Sequence, residues 1–78
     1  MARRGEQLRE HILWVAKDVF LDTGFERASM DLIAARAETS KRTLYAHFEN
    51  KENLYLAVVE RRVRNELRHL LPPDHADF

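Results

Sequence analysis

Apolar and polar positions follow a helical rhythm from near the start of the chain. Leu8, Ile12, Val15, Ala16, Val19 and Phe20 recur at spacings of three and four, which puts them on one face of a helix from about Glu6 to Thr23. Gly24 follows, a residue suited to the left-handed turn that ends a helix. Ser29 is a good N-cap for a second helix, Met30 to about Ala37, with Met30, Ile33 and Ala34 facing inward. Thr39 and Ser40 make a polar break. Ser40 is the natural cap of a third helix, Lys41 to Phe48, in which Leu44 and Phe48 lie one turn apart and face inward. Asn50 then caps a long fourth helix, Lys51 to Leu71, which Pro72-Pro73 ends. Sustained alternation and hairpin dipeptides are missing, so the pattern predicts an all-α domain over residues 1–71 with a tail over 72–78.

Some apolar residues fall outside this core pattern. Trp14 and Leu21 sit about opposite the stripe of the first helix. They are either scattered exposed residues, which are common, or a contact patch for another domain or subunit. On the fourth helix Leu54 and Val58 face the core near its start. Val59, Val63, Leu67 and Leu70 continue the stripe beyond what three short helices can cover, and such a stripe wants a partner.

Composition narrows the function. At 78 residues and 45% apolar, the chain supports one modest core and leaves no room for a second domain with a large ligand pocket. The lack of cysteine removes disulfides, thiolate metal sites and thiol catalysis, and fits a cytoplasmic location. No apolar run approaches the ~18 residues of a membrane span, and no signal-peptide core is present. His11, His47, His69 and His75 share no metal-ligand spacing, no nucleophile–base pair stands out, and there is no glycine-rich phosphate loop. The expectation is therefore no catalytic, cofactor-binding or metal-binding residue, and no enzyme.

Net charge is +0, which by itself argues against a nucleic-acid partner. The distribution matters more than the total. Residues 1–27 carry five Lys/Arg against five Asp/Glu, residues 28–50 three of each, and residues 51–69 five against three. Any positive surface must come from which way these charges face.

Two short helices joined by a tight turn, the second amphipathic, form a helix-turn-helix. The second helix must be held by few apolar side chains, so that the rest can enter a DNA major groove about 12 Å wide. Leu44 and Phe48 are the anchors, which leaves Lys41, Arg42, Thr43, Tyr45 and His47 for double-stranded DNA. Arg and Lys donate to guanine O6 and N7, and Thr offers its methyl to thymine. Tyr, His and Ser donate to phosphate oxygens. Ser40 and Lys51 each open a helix, where free N–H groups favour phosphate.

The stretch TSKRTLYAHFENKENLYLAVV resembles the signature of the tetracycline-repressor (TetR) family of bacterial transcription regulators. Thr43-Leu44-Tyr45, His47-Phe48 and Lys51-Glu52 carry the match, supported upstream by Phe20, Gly24-Phe25, Ser29-Met30 and Ile33-Ala34. The resemblance covers roughly residues 8 to 60. It implies a homeodomain-like three-helix domain followed by a long fourth helix. It also implies base contacts from Lys41, Arg42 and Thr43, and phosphate contacts from Tyr45, His47, Lys51 and Ser29. Leu44 and Phe48 match core positions. Glu38 stands where the family prefers glycine, and if that residue is left-handed it costs roughly 1 kcal/mol relative to glycine. Arg42 replaces what is often glycine or alanine.

The resemblance further implies a cytoplasmic homodimer on a palindromic operator, commonly a repressor released by a small-molecule effector. The dimerising, effector-binding domain is absent from these residues, so the chain is expected to be part of a longer protein. Structural alternatives stand beside each assignment. Tyr45 can be a packing residue, His47 a plain surface histidine, and Lys41 with Arg42 a solvated face. Arg3 and Arg4 form either a tail or a minor-groove arm. Arg61, Arg62, Arg64 and Arg68 are read as the solvated side of the fourth helix. The rival function is a protein-interaction module, which explains Trp14 and Val63–Leu70 but not the polar face of the third helix.

Overall fold

The structure is a computed structural model that describes residues 5–68. It consists of four helices: α1 (Gly5–Thr23), α2 (Met30–Ala37), α3 (Lys41–His47) and α4 (Lys51–Arg68). No strand occurs among the described residues. The expected end of α4 at Leu71, the stripe residue Leu70, and the Arg3–Arg4 pair lie outside them.

Each helix starts and stops for a local reason. α1 ends at Gly24, whose φ of 86° is in the left-handed region, and the Gly24 N–H donates to the Phe20 carbonyl at 2.9 Å. Ser29 opens α2 by accepting from the Leu32 N–H at 3.0 Å, and Ser40 opens α3 by accepting from the Thr43 N–H at 3.0 Å. Asn50 opens α4 through its Oδ1, which takes the Asn53 N–H at 2.7 Å. α3 is one residue shorter than its pattern suggests. Phe48 is extended (φ −137°, ψ 124°) and acts as the C-cap, its N–H donating to the Leu44 carbonyl.

α1 is the centre of the packing, with α2 on one side and α4 on the other, while α3 packs on α2. That arrangement buries Ile12, Ala16, Val19 and Phe20 of α1 as the spacing predicts, and also Leu13. A helix covered by two neighbours buries a wider stripe than one contact requires, which brings in Leu13. Ile33, Leu44, Phe48 and Leu54 complete the interior, joined by Met30, Ala34, Ala37 and Val58. Phe20, Phe25 and Tyr55 form an aromatic cluster with ring centroids 5.0–5.9 Å apart, edge-on where Tyr55 takes part.

Trp14 and Leu21 are exposed, as the pattern implies. They do not lie directly opposite the core, however. Together with Leu13 and Val58 they line a groove of about 330 Å³ between α1 and α4. Val59, Val63 and Leu67 are likewise exposed along α4. The arginines of α4 are less uniformly solvated than their pattern suggests: Arg61 is half-buried and forms an ion pair with Glu10 of α1. Arg64 pairs with Glu60 one turn back on its own helix. No described helix is long and apolar enough to cross a membrane.

Candidate nucleic-acid interface

The turn between α2 and α3 sets where the third helix points. Glu38 is the only non-glycine among the described residues with positive φ (57°, with ψ 44°), so it takes the left-handed conformation that glycine adopts without strain. The hydrogen bonds form a Schellman cap. The Glu38 N–H donates to the Ala35 carbonyl at 3.1 Å, and the Thr39 N–H to the Ala34 carbonyl at 3.0 Å. Half-buried His11 reaches over from α1, its Nε2 lying 3.1 Å from the Ala37 carbonyl and satisfying one of the last carbonyls of α2. The turn therefore forms despite its glutamate.

α3 is anchored by little. Leu44 is the single fully buried residue inside it, and Phe48 locks its far end. Lys41, Arg42, Tyr45 and Ala46 are exposed, and Thr43 and His47 are half-buried. Tyr45 is 48% exposed, so about half of its surface is open to solvent. Ser40 does double duty: its oxygen caps the helix while its hydroxyl donates to Thr43 Oγ1 at 2.9 Å. With that lone pair filled, the Thr43 hydroxyl is set to donate its own proton outward.

The charged members differ. Lys41 Nζ is 3.3 Å from Asp31 Oδ1 on α2, both side chains largely exposed. Such a pair is worth little in water and opens readily when a stronger anion arrives. Arg42 makes no ion pair among the described residues and is a fully available guanidinium. Ser29 caps α2 through its oxygen, a contact that leaves its hydroxyl proton uncommitted.

Lys51 is where the tertiary structure adds most. Its ammonium donates to the carbonyls of Phe25 at 2.7 Å and Ala28 at 3.1 Å, with Glu26 at 3.5 Å, and it lies 4.2 Å from the centroid of the Phe25 ring. The side chain thus ties the head of α4 to the turn that carries Ser29. The backbone N–H of Lys51, at the head of α4, makes no hydrogen bond to an earlier carbonyl among the described residues. Sequence spacing gives no sign of a lysine whose partners lie more than twenty residues away. His11, 26 residues from its partner Ala37, escaped the sequence reading for the same reason, and Asp31 meets Lys41 only because the turn brings α2 and α3 together.

Comparison with known proteins agrees with this geometry. The family model described as bacterial regulatory proteins, tetR family, matches residues 12–58, from the middle of α1 to the middle of α4. The HTH-type transcriptional activator FasR of Mycolicibacterium smegmatis is 48% identical, covering 81% of this chain and 31% of its own length. The HTH-type transcriptional regulator QacR of Staphylococcus aureus is 40% identical over 67% of this chain and 28% of its own. A DNA-binding transcriptional repressor TetR of Mycobacteroides abscessus is 40% identical over 77% and 32% respectively. The chain spans about a third of the length of these relatives, which are named as transcription regulators and not as enzymes. With its capped helix-turn-helix, its lightly anchored third helix and this match, the chain belongs to the TetR family of bacterial regulatory proteins and carries their DNA-binding domain.

Proposed function

We propose that this domain, residues 1–71 by the sequence pattern, reads a specific operator in double-stranded DNA through α3. The observation that carries this is the sparse anchoring of α3. Leu44 and Phe48 hold it, and Lys41, Arg42, Thr43, Tyr45 and His47 are left on its outer side. Lys41, Arg42 and Thr43, in the first turn, are assigned to base edges. Tyr45 and His47 further along, Ser29 and Ser40 at the helix heads, and Lys51 through its backbone N–H at the head of α4 are assigned to phosphates. The Lys51 ammonium steadies the Ser29 turn.

The intact protein acts as a cytoplasmic homodimer on a palindromic operator, with half-sites about one helical turn apart. It represses until a small molecule, bound by a domain beyond these residues, shifts the spacing of the two readers. FasR, named as an activator, favours a second reading in which the same DNA contacts raise transcription. A promoter–reporter assay with and without the protein separates the two signs.

The DNA assignment is tested by selecting binding sites from random duplexes with the wild type and with Arg42→Ala. Arg42→Ala relaxes preference at one position by about 1–3 kcal/mol. An identical base-preference profile moves Arg42 to the backbone contacts. Tyr45→Ala instead weakens all duplexes alike and leaves the salt slope nearly unchanged, because a neutral hydroxyl neutralises no phosphate charge.

A further inference from the structure

Arg9 belongs to α1, outside the helix-turn-helix, yet the fold carries it to the end of the recognition helix. Its guanidinium carbon lies 4.9 Å from the centroid of the Phe48 ring. Phe48 is only 2% exposed and is the residue that locks α3, so the surface on which Arg9 rests is part of the rigid core. The ring of His47 is 6.3 Å from that of Phe48 on a centroid basis. One aromatic ring therefore has both cation-capable side chains as neighbours, one from α3 and one from α1.

The charge of Arg9 is available. Lys17, Arg36, Lys41, Arg61 and Arg64 all sit within 4 Å of a carboxylate oxygen. Arg9 makes no ion pair among the described residues. The acid next to it in sequence, Glu10, is held by Arg61 across the α1–α4 contact. A guanidinium stacked on an aromatic face is fixed in orientation while its N–H edges stay unblocked, and that planar fork matches the oxygens of a phosphate. Arg9 itself is exposed.

We propose that Arg9, pre-oriented on Phe48, grips a DNA phosphate next to the one assigned to His47, so that the contact extends from the helix-turn-helix onto α1. This rests on the DNA-binding reading above. Phosphate is the ligand chemistry and backbone phosphate of duplex DNA its source. A role as mere cover for Phe48 is the competing explanation.

The test measures binding of the wild-type chain, Arg9→Gln and Arg9→Lys to a short random-sequence duplex between 50 and 200 mM monovalent salt, with thermal melting of each variant. One lost phosphate contact lowers the slope of log K against log salt by about 0.9, so affinity falls roughly 3.5-fold less across that fourfold salt range. Arg9→Gln is expected to show this reduction and Arg9→Lys to retain most of the slope. An unchanged slope in Arg9→Gln, beside salt-dependent wild-type binding, overturns the Arg9 assignment and leaves the DNA reading intact. Equal losses in both variants, together with lowered melting temperatures, make Arg9 a cover for Phe48 and also overturn it. No salt-dependent duplex binding by the wild type removes the DNA reading itself. If Arg9→Gln does not fold, the Arg9 Nε–H resonance of the wild type decides: it shifts on adding duplex, and a signal that stays put refutes the proposal.

Discussion

α3 and the second half of α4 both leave most of their side chains outside the core, but with opposite chemistry. α3 buries Leu44, closes on Phe48, and presents Lys41, Arg42, Thr43, Tyr45 and His47. Beyond Val58, α4 buries nothing among the described residues and presents Val59, Val63 and Leu67 among its arginines and glutamates. A row of donors suits a hydrated, negatively charged groove. Exposed valine and leucine at helical spacing suit another apolar surface. The same fold thus offers two unlike faces, and the proposed function uses the polar one for DNA.

The largest effect tests the anchors against the exposed stripe. Leu44→Ala removes a fully buried side chain and costs about 2–5 kcal/mol, enough to unfold much of so small a domain. Val63→Ala removes an exposed one and stays within about 0.5 kcal/mol. Urea titration of both variants checks the pair, and equal losses would erase the distinction between anchor and free face.

The next effect separates support from contact. Lys51→Met strips the carbonyls of Phe25 and Ala28 of their charged donor, an interaction of about 1–3 kcal/mol when its partners are part-buried. Tyr45→Ala, at an exposed position, leaves melting nearly unchanged while weakening duplex binding. Lys51→Met melting like the wild type would return the lysine to a purely DNA-facing role.

The smallest effect concerns the turn that aims α3. Glu38→Gly relieves a left-handed glutamate and stabilises the domain by about 1 kcal/mol, a rise of roughly 4–8 °C in melting temperature. A fall in melting temperature would mean that the Glu38 side chain contributes more than its backbone strain removes. Operator preference is expected to be unaltered, because the Schellman hydrogen bonds are made by backbone groups.

Much of the molecule was legible before any coordinates. Ser29, Ser40 and Asn50 cap the helices they were expected to cap, Gly24 takes the left-handed turn, and Leu44, Phe48, Leu54 and Val58 are buried. These features are local, since a cap acts within three residues and a buried stripe repeats with the helical period. The end of α3 moved by one residue because the backbone turns extended at Phe48, a choice that helical periodicity does not register.

The identities of the anchors, the free polar face of α3 and the capped boundaries were thus determined by the sequence alone, through short-range geometry. Tertiary structure decided the rest. It gave Leu13 a second helix to pack on, and sent the Lys51 ammonium to the Phe25 and Ala28 carbonyls. It also paired Arg61 with Glu10, turned His11 to Ala37, and laid Arg9 on Phe48. The physical reason is common to all of these. Each depends on how one helix crosses another, and that register is set by the packing of the whole core, which no local pattern encodes.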